Sequence, residues 1–123
     1  MPASLLVVED DTELRVTIRD LLVRAGYSVR CAEDADEALW MLRRMAPPCL
    51  LLWDPFTARA GFSLLADAAL DGIRVATIPV SISCDDAVGP HRKINKTLTS
   101  HAAIMNIVEE HCPLEDDSAM IST

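Results

Sequence analysis

Leu5-Leu6-Val7-Val8-Glu9-Asp10-Asp11 and, further along, Leu50-Leu51-Leu52-Trp53-Asp54 decide the reading of this chain. Each is a short continuous apolar run that ends in carboxylates. That pattern marks a strand buried on both faces of a parallel sheet, not one with a wet side. In an open parallel α/β sheet, ligands sit beyond the carboxyl ends of the strands, where the strand order reverses. Acids at the ends of two adjacent central strands therefore converge on one pocket. Crowded carboxylates repel one another, and a hard cation such as Mg²⁺ is what reconciles them.

Outward from these runs, strands and helices alternate. After the first strand, Asp10 to Glu13 has the form of a capping box, and Leu14, Ile18, Leu21, Leu22 and Ala25 make one helical face. Gly26 stops that helix, and Tyr27 to Ala32 reads as a second strand. Asp34 and Glu37 open a second helix with the stripe Ala35, Ala38, Leu39 and Leu42, and Pro47-Pro48 ends the region. The third strand is Cys49 to Trp53. A short third helix is predicted from Phe62 to about Leu70, and Asp71-Gly72 turns into a fourth strand within Ile73 to Ser83. Cys84 to Arg92 has no helical period, Lys93 to Thr97 reads as a short fifth strand, and Thr99 or Ser100 caps a final helix. That helix buries Ala103, Ile104, Ile107 and Val108, and Pro113 closes it ahead of a polar, frayed tail.

With 123 residues, half of them apolar, the chain has room for one domain with a real core. No apolar run approaches the roughly 18 residues that a membrane span needs, and Met1 to Ser4 carry no basic leader. A cytoplasmic protein is expected. A net charge of −8 argues against binding nucleic acid, because little is present to neutralise phosphates. Cys31, Cys49, Cys84 and Cys112 are scattered, with no C-x-x-C pair, and read as small hydrophobes in a reducing compartment. Trp40 and Met41 fall off the second helix's buried stripe, Trp53 reads as core, and His91, His101 and His111 share no metal spacing.

The LLVVEDD, RAGYSV and LLLWD segments, with Lys96 after the last short strand, resemble the receiver domain of two-component response regulators. The resemblance runs from about Ser4 to Cys112. It implies a bacterial, flavodoxin-like (βα)₅ three-layer sandwich with parallel sheet order 2-1-3-4-5, here with the fourth helix reduced or missing. Residues 1–112 would form the domain and 113–123 the tail. Asp54 would be the phosphoacceptor, since a carboxylate can attack a phosphoryl group and form an acyl phosphate. Glu9, Asp10, Asp54 and the backbone carbonyl of Phe56 would hold Mg²⁺, and Lys96 would pair with the phosphoryl oxygens. Asp11 falls at the start of the first helix, where its charge favours the helix end. The switch hydroxyl has two registers open. Counting from Asp54 puts it on Ser83; aligning Asp67 to Ile73 puts it on Pro79, which has none. Ser83 is the expected residue.

The chain departs from the family in one region. The loop after Asp54 reads PFTARAG, Thr97 follows Lys96 where proline is usual, and Lys93 takes the place of the switch aromatic. The expected function is a stand-alone receiver, phosphorylated by a histidine kinase or phosphotransfer protein and signalling by protein contact. It would not be an enzyme, would touch neither nucleic acid nor membrane, and its oligomeric state is open. The alternative is a pseudo-receiver module that binds a partner independently of phosphate. A third class, an unrelated small α/β enzyme, lacks any G-x-G-x-x-G, P-loop or G-x-S-x-G motif to support it.

Overall fold

The computed structural model describes residues 3–55, 68, 71–84 and 94–114. The elements run β1 (Ser4–Val8), α1 (Thr12–Arg24), β2 (Ser28–Ala32), α2 (Ala35–Leu42), β3 (Leu50–Trp53), β4 (Arg74–Thr77), β5 (Val80–Cys84), β6 (Ile94–Leu98) and α3 (His101–His111). Four strands form a parallel sheet in the order β2-β1-β3-β4. The apolar runs behave as their composition demands. Leu5, Val7, Leu50 and Leu52 pack with Leu14, Ile18 and Leu22 of α1 and with Ile104 and Val108 of α3. On the other face, Leu6, Val8 and Leu51 pack with Ala35 and Ala38 of α2, and with Ala68. Burying each such aliphatic side chain is worth roughly 1.5–3 kcal/mol, and the sheet is sandwiched between helices because both its faces are apolar.

The helix ends follow local chemistry. Asp11 caps α1 by accepting from the Leu14 N–H at 3.0 Å, so the cap lies one residue after the predicted Asp10. Asp34 caps α2 through the Glu37 N–H, and Ser100, not Thr99, caps α3 through the Ala103 N–H. At the end of α1, Gly26 adopts φ +105°. Its N–H donates to the Val23 carbonyl, and that of Tyr27 donates to the Leu22 carbonyl. This pair of bonds satisfies carbonyls that the helix leaves open and needs a residue that tolerates positive φ.

Two expectations are corrected. The predicted fifth strand does not extend the parallel sheet, so the order 2-1-3-4-5 is not formed. Instead β6 pairs antiparallel with β5 in a separate two-stranded sheet, Val80 opposite Leu98 and Cys84 opposite Ile94. Pro79, which has no N–H to offer a ladder, sits between β4 and β5. Residues 85–93 are all that joins β5 to β6. A parallel crossover takes a dozen or more residues, so a link of this length sets β5 and β6 antiparallel to each other.

The cysteines are the second correction. Cys49 and Cys112 form a disulfide with their Cα atoms 6.1 Å apart, and Cys31 is free. Sequence spacing carried no sign of the pair, because 63 residues separate them and only the fold brings the start of β3 to the end of α3. In the chain-entropy account, closing a loop of this length is worth about 4 kcal/mol.

Trp40 is 57 % exposed, with the Arg44 guanidinium 4.1 Å from its ring centre, while Trp53 is only half-buried. Most of the predicted third helix, the region of the fourth, Lys93 and the tail from 115 onward lie outside the described residues. Three helices are seen among those described. None of them is long and apolar enough to cross a membrane.

Gly26→Ala tests the α1 terminus. The new methyl would force a strained φ and meet Leu114 Cδ1 at 3.3 Å. Denaturant unfolding should show a loss of about 1–2 kcal/mol.

Candidate functional site

The sheet's ladder continues past the strand ends and fixes the backbone of the acids. The Glu9 N–H donates to the Ala32 carbonyl at 3.0 Å, the Asp54 N–H to Val8 at 3.1 Å, and the Ile78 N–H to Trp53 at 2.8 Å. Glu9 and Asp54 thus stand side by side where β1 and β3 finish, the point at which the strand order reverses. Both are fully buried, whereas Asp10 is exposed. Oxygen atoms of Glu9, Asp10 and Asp54 lie within 4.8 Å of one another.

Lys96 closes the cluster from β6. Its Nζ lies 2.6 Å from Glu9 Oε1 and 2.7 Å from Asp54 Oδ2, and it also donates to Asp10 Oδ1. One ammonium therefore serves three carboxylates with only 10 % of its side chain exposed. Burial alone would lower the Lys96 pKa, but hydrogen bonds to Asp10, Asp54 and Glu9 outweigh it and hold the ammonium above its usual range. Burial likewise raises Asp10, yet the Lys96 hydrogen bond prevails and keeps its carboxyl below the ordinary value. Glu9 goes the other way. Burial first, and then the Asp54 carboxyl beside it, push Glu9 up to about 8, against the pull of Lys96 and the Asp11 N–H. A single cation does not satisfy this much negative charge, and Glu9 Oε2 is buried without a hydrogen-bond partner among the described residues.

That orphaned oxygen is the test of whether the site fits a cation. Three clustered hard oxygen donors, one with an unused buried atom, match the ligand chemistry of Mg²⁺. The acids would hold such an ion, and it would supply charge neutralisation at an incoming oxyanion. The surrounding residues serve position. The Asp11 N–H donates to Glu9 Oε1 at 3.0 Å, and Arg15 Nη1 donates to the Glu9 carbonyl at 2.8 Å while its other end lies 3.7 Å from Glu33.

Glu9, Asp10, Asp54 and Lys96 are thus brought together, although the lysine arrives on a strand outside the parallel sheet. Phe56 lies outside the described residues. Ser83 is not brought to the site's strand end: it sits on β5 opposite Asn95 and is exposed. The strand beside β3 is Arg74–Thr77, followed by Ile78 and Pro79, because Pro79 ends the ladder before the chain reaches Ser83. Arg15 escaped the sequence reading. Its place one turn after the acidic stretch was the available signal, but a surface arginine on a helix is common.

Comparison with known proteins points the same way. No family model matches the chain. "Response regulator MprA" of Mycobacterium sp. (strain KMS) is 40% identical over 52 residues, 42% of this chain and 23% of that protein. The same-named protein of Mycolicibacterium vanbaalenii is 40% identical over 52 residues, 42% and 22% of the two chains. The matched stretch spans less than a quarter of these relatives' length. Among solved structures, chemotaxis response regulator CheY4 of Vibrio cholerae aligns with a TM-score of 0.56 at 23% identity, over 63% of this chain and 68% of that one, and shows the fold alone. NtrX from Brucella abortus aligns with a TM-score of 0.56 at 29% identity, over 63% of this chain and 18% of that one. The chain has a receiver-domain-like fold with an acidic cluster and a paired lysine at the ends of its central strands.

The raised Glu9 carboxyl would make cation binding here pH-dependent. An ion at these oxygens favours ionised Glu9, so binding must displace its proton wherever the pH lies below about 8. Mg²⁺ affinity, followed by calorimetry, should rise with pH by up to roughly tenfold per unit below that value and level off above it.

Proposed function

We propose that this chain is a response-regulator receiver that takes a phosphoryl group onto Asp54 from a histidine kinase or phosphotransfer protein, in a Mg²⁺-dependent reaction. The observation that carries the reading is the Lys96 ammonium, 2.7 Å from Asp54 Oδ2 and shared with Glu9 and Asp10. Asp54 Oδ would form the new O–P bond while the donor's N–P bond breaks and the departing imidazole takes up a proton. Lys96 would shift from the carboxylates to the transferred oxygens, which it can follow as a flexible point charge. Phosphoryl transfer rests on such positioning and charge neutralisation. Glu9 and Asp10 would keep the cation, and the Arg15 and Asp11 contacts would keep Glu9 from turning away. The reading is of a signalling protein, not an enzyme with turnover on an external substrate. It acts in the cytoplasm through protein contact, with no nucleic-acid or membrane partner.

A second reading has its own support. Ser83, the expected switch hydroxyl, sits on β5 and not at the end of β4, and β5 and β6 lie outside the parallel sheet. The usual coupling of phosphate to an output face would lack its switch residue, which favours a pseudo-receiver that binds its partner regardless of phosphate.

Intact mass after incubation with acetyl phosphate and Mg²⁺ separates the two. Wild type should gain one phosphoryl group, and Asp54→Asn should gain none while keeping a native circular dichroism spectrum. Uptake by the variant would assign the wrong acceptor; no uptake by folded wild type, with acetyl phosphate and with a phosphorylated kinase, would favour the pseudo-receiver.

A further inference from the structure

We propose that Cys49 and Cys112 form a reversible redox latch that seats the Lys96-bearing segment on the acidic cluster. The argument begins with what holds that segment. Among the described residues, the β5–β6 pair has no ladder bond to the four-stranded sheet. Lys96 lies on β6, and the Ser100 cap of α3 follows it closely, so α3 and β6 move as neighbours on one stretch of chain. At one end of this stretch Lys96 meets the acids. At the other, the C-terminus of α3 is bound to the opposite end of the sheet by three groups. The Tyr27 hydroxyl donates to the Cys112 carbonyl at 2.8 Å, Arg74 Nη1 donates to the His111 carbonyl at 2.5 Å, and the disulfide joins Cys112 to Cys49.

The disulfide couples two elements that both connect along the chain to the site. Cys49 immediately precedes β3, which leads to Asp54; Cys112 ends α3, which follows from Lys96. Locking the near ends restricts how far the far ends can separate. With the bond open, the two remaining hydrogen bonds still dock α3, so the expected response is local opening and not collapse of the domain.

The sulfurs differ in access. Cys112 is 1 % exposed, whereas Cys49 is half-buried. Exchange therefore enters at Cys49. Its thiolate attacks a low-molecular-weight disulfide such as oxidised glutathione, forming a mixed disulfide and releasing one thiol. The Cys112 thiolate then attacks the Cys49 sulfur and expels the second thiol. Two protein thiols lose two electrons, the external disulfide gains them, and the two protons leave on the released thiols. Reduction reverses these steps, with an external thiolate attacking Cys49. The latch is independent of whether Asp54 takes a phosphoryl group, and its test makes no use of phosphate.

The full chain is equilibrated in glutathione buffers of graded ratio, quenched in acid, alkylated and mapped by mass spectrometry, and the end states are compared by hydrogen exchange. The expected result is a linked Cys49–Cys112 peptide that disappears in one transition as the buffer becomes reducing. In the reduced form, amides of 94–98 and of the last turn of α3 should exchange about tenfold faster, with β1 and β3 unchanged. Cys49→Ser should show that faster pattern in every buffer, and Cys31→Ser should leave the transition in place. Absence of the linked peptide in oxidising buffer overturns the proposal. So does equal exchange of 94–98 in the two forms, or global unfolding on reduction, either of which makes the bond a static staple.

Discussion

Everything at this site depends on placing two carboxylates in a position that water does not reach. Glu9 and Asp54 are fully buried because the ladder of a parallel sheet holds their backbones at the ends of β1 and β3. Removing an ionised carboxylate from water costs several kcal/mol unless it is paired. The structure meets that cost with Lys96, one ammonium bonded to both buried acids and to Asp10. The charges still do not balance, and the residue of that imbalance is visible in the raised Glu9 carboxyl and the orphaned Glu9 oxygen. Such a cluster of hard oxygen donors could hold a divalent cation.

The lysine is held differently from the acids. Glu9 and Asp54 are built into the sheet, whereas Lys96 sits on a strand paired only within the β5–β6 sheet. Its position follows from its own ion pairs and from α3, whose Ile104 and Val108 are buried against the parallel sheet. Tyr27, Arg74 and Cys49 then hold the far end of that helix. The acids are thus a fixed feature and the lysine an adjustable one.

Much of this was legible in the residues. Continuous apolar runs ending in acids located β1 and β3, and capping residues located α2 and α3 to within a residue or two. The exposed Trp40 followed from helical periodicity. At α1 the cap is Asp11 and not the expected Asp10, since two adjacent aspartates both suit a helix N-terminus and Asp11 is the one that accepts from the Leu14 N–H. The half-buried Trp53 was less well judged, because hydrophobicity does not say how much of a strand end its neighbours cover.

Local periodicity and acids at strand ends mark the buried strands, the helix faces and Glu9, Asp10 and Asp54, whereas Lys96 is placed by its match to the receiver pattern, since a lysine in KINKTL is by itself an ordinary surface charge. The antiparallel pairing of β5 with β6, the placing of Ser83 away from the strand end beside Asp54 and the union of Cys49 with Cys112 emerge only in the folded chain. Strand pairing and disulfide partnership are choices between segments far apart in the chain. Their outcome depends on the length of connections and the direction of approach in space, which no local pattern of residues encodes.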